Sequence, residues 1–156
     1  MAVLPIITGK DAKVLRKKTV AVPKVTKDVL ALLRDMHDTT QAADGLGLAA
    51  PQVGVSQRLC LARLHGRLTP LINPVITWRS TSLETGEEGC LSLPGIYVPV
   101  TRAKAIVVRY LDGKGKEQER KLEGMDARVV QHEVDHLDGI LIVDYVTSAA
   151  TNAMLL

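Results

Sequence analysis

The apolar residues of this 156-residue chain follow a helical period in two segments and a strand period in others. In residues 26–43 they recur every three or four positions, which predicts a helix with Thr26 as its N-cap and Gly45 at its end. A second helix is predicted over residues 125–137, where apolar residues fall on nearly every side. We therefore expect this second helix to lie at the centre of the fold.

Three stretches have the pattern of strands. Residues 59–64 are an apolar run, and residues 71–76 have the pattern of a strand bent by Pro74, which we place at a sheet edge because proline has no N–H to donate. Residues 105–122 alternate around the turn at 112–115, which predicts a β-hairpin. The sequence therefore predicts an α+β fold, with mixed and antiparallel sheets packed around the central helix and a second, N-terminal helix.

Length and composition fit one domain over residues 1–156, with a weakly structured tail at about 147–156. Hydrophobic residues make up 46% and charged residues 24%, which is usual for globular proteins. The net charge is +3, but the basic residues are scattered and aromatics are only 3%, so direct nucleic-acid readout is not expected. The chain has no long apolar run and no secretion signal, so we expect a cytoplasmic protein without a membrane partner.

Residues 132–136 spell H-E-x-x-H inside the predicted central helix. At helical spacing His132 and His136 lie one turn apart on one face, where both rings can bind one metal ion. Glu133 lies beside that ion and is free to move protons. The motif therefore predicts a divalent metal that activates water, with Glu133 as general base.

The third ligand is expected upstream of this motif. The 20 residues after His136 contain no His, Glu or Cys, and Asp138 and Asp144 are poorly placed. His37 and His65 have no surrounding site, whereas Cys90 lies between glycines and polar residues. We therefore predict a site of one Cys and two His that leaves a fourth position for water. Cys60 lies in an apolar run and is expected to be a buried, inert thiol.

A third segment, residues 44–54, is rich in small residues and contains Gln52 near its C-terminal end. It does not follow a strand and lacks the Lys-Ser/Thr pair of a nucleotide loop. Small residues let an extended ligand approach the backbone, and the Gln52 amide can donate to a developing oxyanion. The alternative is a simple turn with small packing residues.

Residues 45–52, 88–92 and 131–136 match, in order and spacing, the three signature motifs of the peptide deformylase family, and the resemblance spans nearly the whole chain. It implies hydrolysis of the N-formyl group from the initiator methionine of newly made polypeptides, with release of formate. Glu133 would act as general base and acid on water activated by the metal. The implied partners are N-formyl-methionyl nascent peptides and, transiently, the ribosome.

The resemblance also implies roles for individual residues. Cys90, His132 and His136 would bind the metal, which is Fe(II) in this family and can be replaced by Zn, Ni or Co. Gln52 and the backbone N–H of Leu91 would stabilise the oxyanion. The substrate would be contacted by Leu46, Gly47 and Gly89 along its backbone and by Met125 and Val129 around the methionine side chain. The last two are equally consistent with plain core positions.

The H-E-x-x-H motif is also compatible with two different functions. A metallopeptidase shares the motif but usually takes a downstream ligand, and a non-catalytic binding module would not need Glu133.

Charged residues near the three motifs have predicted supporting roles. Glu88, Arg102 and Asp135 are expected to orient the ligands or tie the Cys90 segment to a sheet, with surface solvation as the alternative. The segment after Tyr145 is short, which puts in doubt the ribosome docking through a charged C-terminal helix seen in many members. The sequence is compatible with a bacterial, a viral or a processed organellar source.

Overall fold

The computed structural model describes residues 2–146, so the predicted tail at 147–156 lies outside the described residues. This range contains three α-helices and seven β-strands. The helices are α1 (Lys13–Arg16), α2 (Lys27–Ala42) and α3 (Gly124–Leu137). The strands are β1 (Gly47–Ala49), β2 (Leu59–Leu64), β3 (Arg67–Arg79), β4 (Leu83–Cys90), β5 (Leu93–Ala103), β6 (Ala105–Leu111) and β7 (Glu117–Glu123).

Five strands form one sheet in the order β1-β2-β3-β6-β7, and α3 packs against it. Fully buried residues of α3, among them Val130 and Leu137, meet β2 residues such as Ala62 in the main apolar cluster. The predicted α+β fold around a central helix is therefore confirmed. All strand ladders within residues 2–146 are antiparallel, and a parallel contact occurs only as an isolated bridge between Val20 and Gln57.

β4 and β5 form a separate two-stranded sheet, which we call the β4–β5 hairpin. The sequence predicts no strands here, because glycines and paired glutamates interrupt the apolar alternation of β4. The hairpin is held instead by tertiary burial: Val98 and Val100 pack in a cluster with Leu141 and Ile142 from the segment after α3. This packing places Cys90 at the end of β4, at the tip of the hairpin.

The strand around Pro74 lies between β2 and β6, so the predicted edge position is wrong. The register of β3 against β6 shifts between Ile72 and Val75, and Asn73 has a φ of 52° at this bulge. Because the ladder is interrupted there, the missing N–H of Pro74 falls outside the pairing with β6. The bulge also lets Asn73 bond both backbone groups of Val22, each at 2.8 Å.

The predicted helices and the 105–122 hairpin agree with the structure to within two residues at each boundary. Thr26 caps α2, because its Oγ1 accepts a hydrogen bond from the Val29 N–H at 3.3 Å. The left-handed residue after α2 is Asp44, with a φ of 52°, rather than Gly45. The short helix α1 has no sequence signal strong enough to predict it. No helix in residues 2–146 is long and apolar enough to cross a membrane.

Candidate metal centre

His132 and His136 lie on consecutive turns of α3, and their rings point towards the same place. Their Nε2 atoms are 3.2 Å apart. Both residues belong to one continuous helix, so this convergence follows directly from the i, i+4 spacing. Glu133 lies between them in sequence and is only 4% exposed.

Cys90 reaches the same place from the tip of the β4–β5 hairpin. Its Sγ is 3.3 Å from His136 Nε2, and the ligand atoms of Cys90, His132 and His136 all lie within 4.8 Å of one another. Tetrahedral zinc-type bond lengths would separate two nitrogens by about 3.3 Å and a sulfur and a nitrogen by about 3.6 Å. The three side chains therefore fit one divalent metal ion and leave a fourth coordination position for water or substrate.

Glu133 has the environment of a proton carrier. Burial raises the pKa of its carboxyl to about 7, although the charges of His132 and Arg102 oppose the shift. Its Oε1 is buried without a hydrogen-bond partner among residues 2–146. A Cβ atom at Gly47 would lie 2.6 Å from Glu133 Oε2, so the glycine of β1 leaves room for the carboxylate. A buried carboxylate with this pKa can accept and return a proton near neutral pH.

Gln52 is oriented by bonds at both ends of its amide. Oε1 accepts from the Ala49 N–H at 2.9 Å, while Nε2 donates to Ser92 Oγ at 3.1 Å and lies 3.8 Å from Cys90 Sγ. The amide nitrogen therefore faces the site, as donation to an oxyanion requires. Ser92 is fully buried, and its only sequence signal is its place two residues after Cys90.

Glu88 joins His132 to the β4–β5 hairpin. Its Oε1 accepts a hydrogen bond from His132 Nδ1 at 2.9 Å, which leaves Nε2 of that ring for a metal. Arg102 donates two bonds to the same carboxylate, at 2.7 and 2.8 Å, and a third to Asp135 at 2.8 Å. The Tyr145 hydroxyl also contacts Asp135. Of Glu88, Arg102 and Asp135, Glu88 is the one that bonds a metal-site histidine.

The charges of this network follow from these contacts. Burial would raise the pKa of Glu88, but hydrogen bonds from Arg102 and His132 hold it well below its usual range. Burial lowers the pKa of His136. Burial also lowers that of His132, but its bonds to Cys90 and Glu88 raise the pKa overall, to about 10. A metal bound at His132 would compete with this proton, so its binding would weaken as the pH falls.

A cavity of about 460 Å³ opens beside the metal centre. It is lined by all five residues predicted to contact a substrate, namely Leu46, Gly47, Gly89, Met125 and Val129, and also by Leu91 and Gln52. Leu46 and Met125 are 51% and 59% exposed at its rim, whereas Val129 is 5% exposed. Among residues 2–146, β1 has a neighbouring strand on one side only, so its other side has room for an extended peptide to pair with it.

The remaining candidate ligands lie elsewhere. His37 and His65 have side chains that are 48% and 74% exposed. Asp138 and Asp144 each form an ion pair with an arginine. Cys60 is fully buried, and burial raises the pKa of its thiol well above the usual value, as expected of an inert cysteine.

Within residues 2–146, Arg128 also contacts Glu88, although no sequence motif points to it.

The fold and the candidate metal centre fit the class of H-E-x-x-H metallohydrolases, with Cys90 as a candidate third ligand upstream of the motif. A sequence model of the polypeptide deformylase family matches residues 3–152. The chain is 46% identical over 144 residues to the peptide deformylase of Pelotomaculum thermopropionicum, covering 92% of each protein. The chain therefore belongs to the polypeptide deformylase family.

Solved structures give the same result. The fold matches that of peptide deformylase from Thermotoga maritima with a TM-score of 0.90 and 41% identity, over 94% of this chain and 99% of that one. It matches peptide deformylase from Ehrlichia chaffeensis in complex with actinonin with a TM-score of 0.94 and 37% identity, over 99% and 95% of the two chains.

Proposed function

We propose that the chain removes the N-formyl group from the initiator methionine of newly made polypeptides and releases formate. The observation that carries the proposal is the convergence of the Cys90, His132 and His136 ligand atoms within 4.8 Å, beside a buried Glu133. A divalent metal bound there supplies a Lewis acid and lowers the pKa of water beside it. We propose Fe(II) as the physiological metal, with Zn, Ni or Co able to replace it, because a mixed thiolate and imidazole set suits all of these ions.

The residues of the chain then have separate tasks. Glu133 accepts the proton of the attacking water and passes it to the leaving amine. The Gln52 amide and the Leu91 N–H donate to the formyl oxygen, which becomes an oxyanion when water adds to the formyl carbon. This assignment is supported by the bonds that turn Gln52 Nε2 towards Cys90.

The cavity selects the substrate. Leu46, Gly47 and Gly89 pair with the backbone of the formylated peptide, while Met125 and Val129 line the pocket of its methionine side chain. A formyl carbon carries only hydrogen, so a close-fitting site admits it and excludes acetyl or peptidyl groups. This substrate points to a cytoplasmic enzyme that contacts the ribosome transiently.

The test is formate release from a formyl-Met tripeptide by the Fe(II)- or Ni(II)-loaded protein, with the acetyl-Met peptide as control. Glu133→Gln should lower kcat by roughly 10²–10⁴-fold, because it removes the proton carrier while keeping its shape. Metal content is measured on the same samples and should be unchanged. Cleavage of casein without formate release would overturn the proposed reaction, and an unchanged rate in Glu133→Gln would overturn the role of Glu133.

A further inference from the structure

Arg128 lies one turn before His132 on α3, and its side chain is only 11% exposed. Nη1 donates to Glu88 Oε2 at 2.6 Å and to the Val100 carbonyl at 3.0 Å, while Nη2 donates to the Glu84 carbonyl at 2.8 Å. Glu84 and Glu88 belong to β4 and Val100 to β5. One side chain of the histidine helix therefore bonds both strands of the β4–β5 hairpin.

Gly86 makes room for this contact. A Cβ atom at Gly86 would lie 3.2 Å from Arg128 Cζ and 3.3 Å from Nη2, so the guanidinium occupies the space that a side chain would fill. Gly86 is not among the residues with positive φ, so its conformation does not require glycine. A side chain at Gly86 would therefore push against the Arg128 guanidinium.

The β4–β5 hairpin is not part of the five-stranded sheet, so strand pairing does not set its distance from α3. Gln131 bonds the backbone of Ala103 at the end of β5, far along the hairpin from Cys90. Closer to the site, Arg102 of β5 bonds Asp135 of α3, and Glu88 is bonded by Arg102 from β5 and by Arg128 from α3. The carboxylate is thus fixed from both elements that carry metal ligands.

We propose that Arg128 is a positioning residue: it sets the separation of the Cys90 hairpin from α3 and, through Glu88, the orientation of His132. This inference rests on the proposed metal site of Cys90, His132 and His136. The positioning role of Arg128 and its positive charge predict opposite effects of its removal on metal affinity. Removing a positive charge near a metal would by itself strengthen cation binding, whereas losing the preformed ligand geometry weakens it.

The test measures Co(II) binding by the purified protein, using competition with a chelator and the thiolate-to-Co(II) charge-transfer absorption. Arg128→Met should weaken Co(II) binding about 10-fold and alter the thiolate band. Arg128→Lys keeps the charge but loses the planar fork, so it should fall between Arg128→Met and the wild type. Gly86→Ala, which pushes the guanidinium by a few tenths of an ångström, should weaken binding by less than Arg128→Met.

The matched control is Arg109→Met, which removes an arginine from an exposed ion pair with Glu117 and should leave Co(II) binding unchanged. Unfolding of the metal-free proteins is measured in parallel. Equal or tighter Co(II) binding by Arg128→Met with an unaltered thiolate band would overturn the inference, even if the metal-free protein were less stable. Absence of a thiolate band in the wild type would instead overturn the proposed ligand set, and this inference with it.

Discussion

Helix α3 and the β4–β5 hairpin bring side chains to the proposed metal centre in different ways. On α3, His132 and His136 are brought together by one turn of helix, and their Nε2 atoms are 3.2 Å apart. On the hairpin, Cys90 is 42 residues before the first of these histidines and reaches the site only because the two elements pack together. Two of the proposed ligands are therefore placed by local helix geometry, and the third is placed by tertiary contacts.

This contrast shows where such a site is vulnerable. A helix keeps its ligand spacing as long as its own hydrogen bonds hold. The hairpin keeps Cys90 in place through packing, hydrogen bonds and ion pairs to other elements, among them those of Glu88, whose side chain is 6% exposed and is bonded by Arg102 and Arg128. We therefore expect substitutions in the β4–β5 hairpin to weaken metal binding while α3 stays folded.

The largest effect is expected for Cys90→Ser. It removes one of three proposed protein ligands. Structural zinc sites bind with about 10–16 kcal/mol in total, so the loss of one ligand should lower metal affinity about 10³-fold. The thiolate-to-Co(II) absorption should disappear, and formate release with it. Cys60→Ala is the matched control, and it should keep both the absorption and the activity. Retention of the band in Cys90→Ser would remove Cys90 from the ligand set.

A smaller effect on the metal is expected for Glu88→Gln, which keeps the shape but removes the charge that faces two buried arginines. Metal affinity should fall roughly 10–100-fold, because His132 loses its charged acceptor. The free energy of unfolding of the metal-free protein should fall by about 3–5 kcal/mol, as for other broken buried ion pairs. Urea unfolding measures this, with the exposed Glu117→Gln as control. If the two variants were equally stable, the hairpin would not depend on Glu88.

The smallest effect is expected for Arg16→Met, outside both elements. Arg16 Nη1 lies 2.6 Å from Asp144 Oδ2 and ties α1 to the segment after α3. The pair is partly exposed, so its loss should cost only about 0.2–1 kcal/mol and leave metal affinity unchanged.

The pH dependence of this loss has a definite sign. Burial tends to raise the pKa of Asp144, but its bonds to Arg16 and the Leu141 N–H lower it overall. Stability from a lowered carboxyl pKa is present above the unfolded value of about 3.9 and disappears as the pH falls through the folded value. Urea unfolding should therefore show the full deficit of Arg16→Met at neutral pH and little at strongly acidic pH. A deficit that does not change with pH would contradict this account.

Much of this fold and of the candidate site can be predicted from residues that are close together in the sequence. The cap at Thr26, the two long helices, the 105–122 hairpin and the convergence of His132 and His136 depend on spacings of a few residues, which the sequence displays directly. Pro74 is harder to place, because a bulge that moves proline into the interior of a sheet depends on how β6 pairs with β3. β4 and β5 escape prediction for a similar reason, since their burial comes from the segment after α3.

The chemistry that this chain offers can be read from its sequence: two imidazoles and a carboxylate on one helix, a thiol between glycines and an amide after a run of small residues. How these groups are held depends on the tertiary structure. It sets the contacts of Glu88 with Arg102 and Arg128, the orientation of Gln52 by Ser92, and the place of Glu133 against Gly47. Helical spacing is a local property of the chain, whereas the distance between a helix and a separate hairpin is set by packing and ion pairs between distant residues.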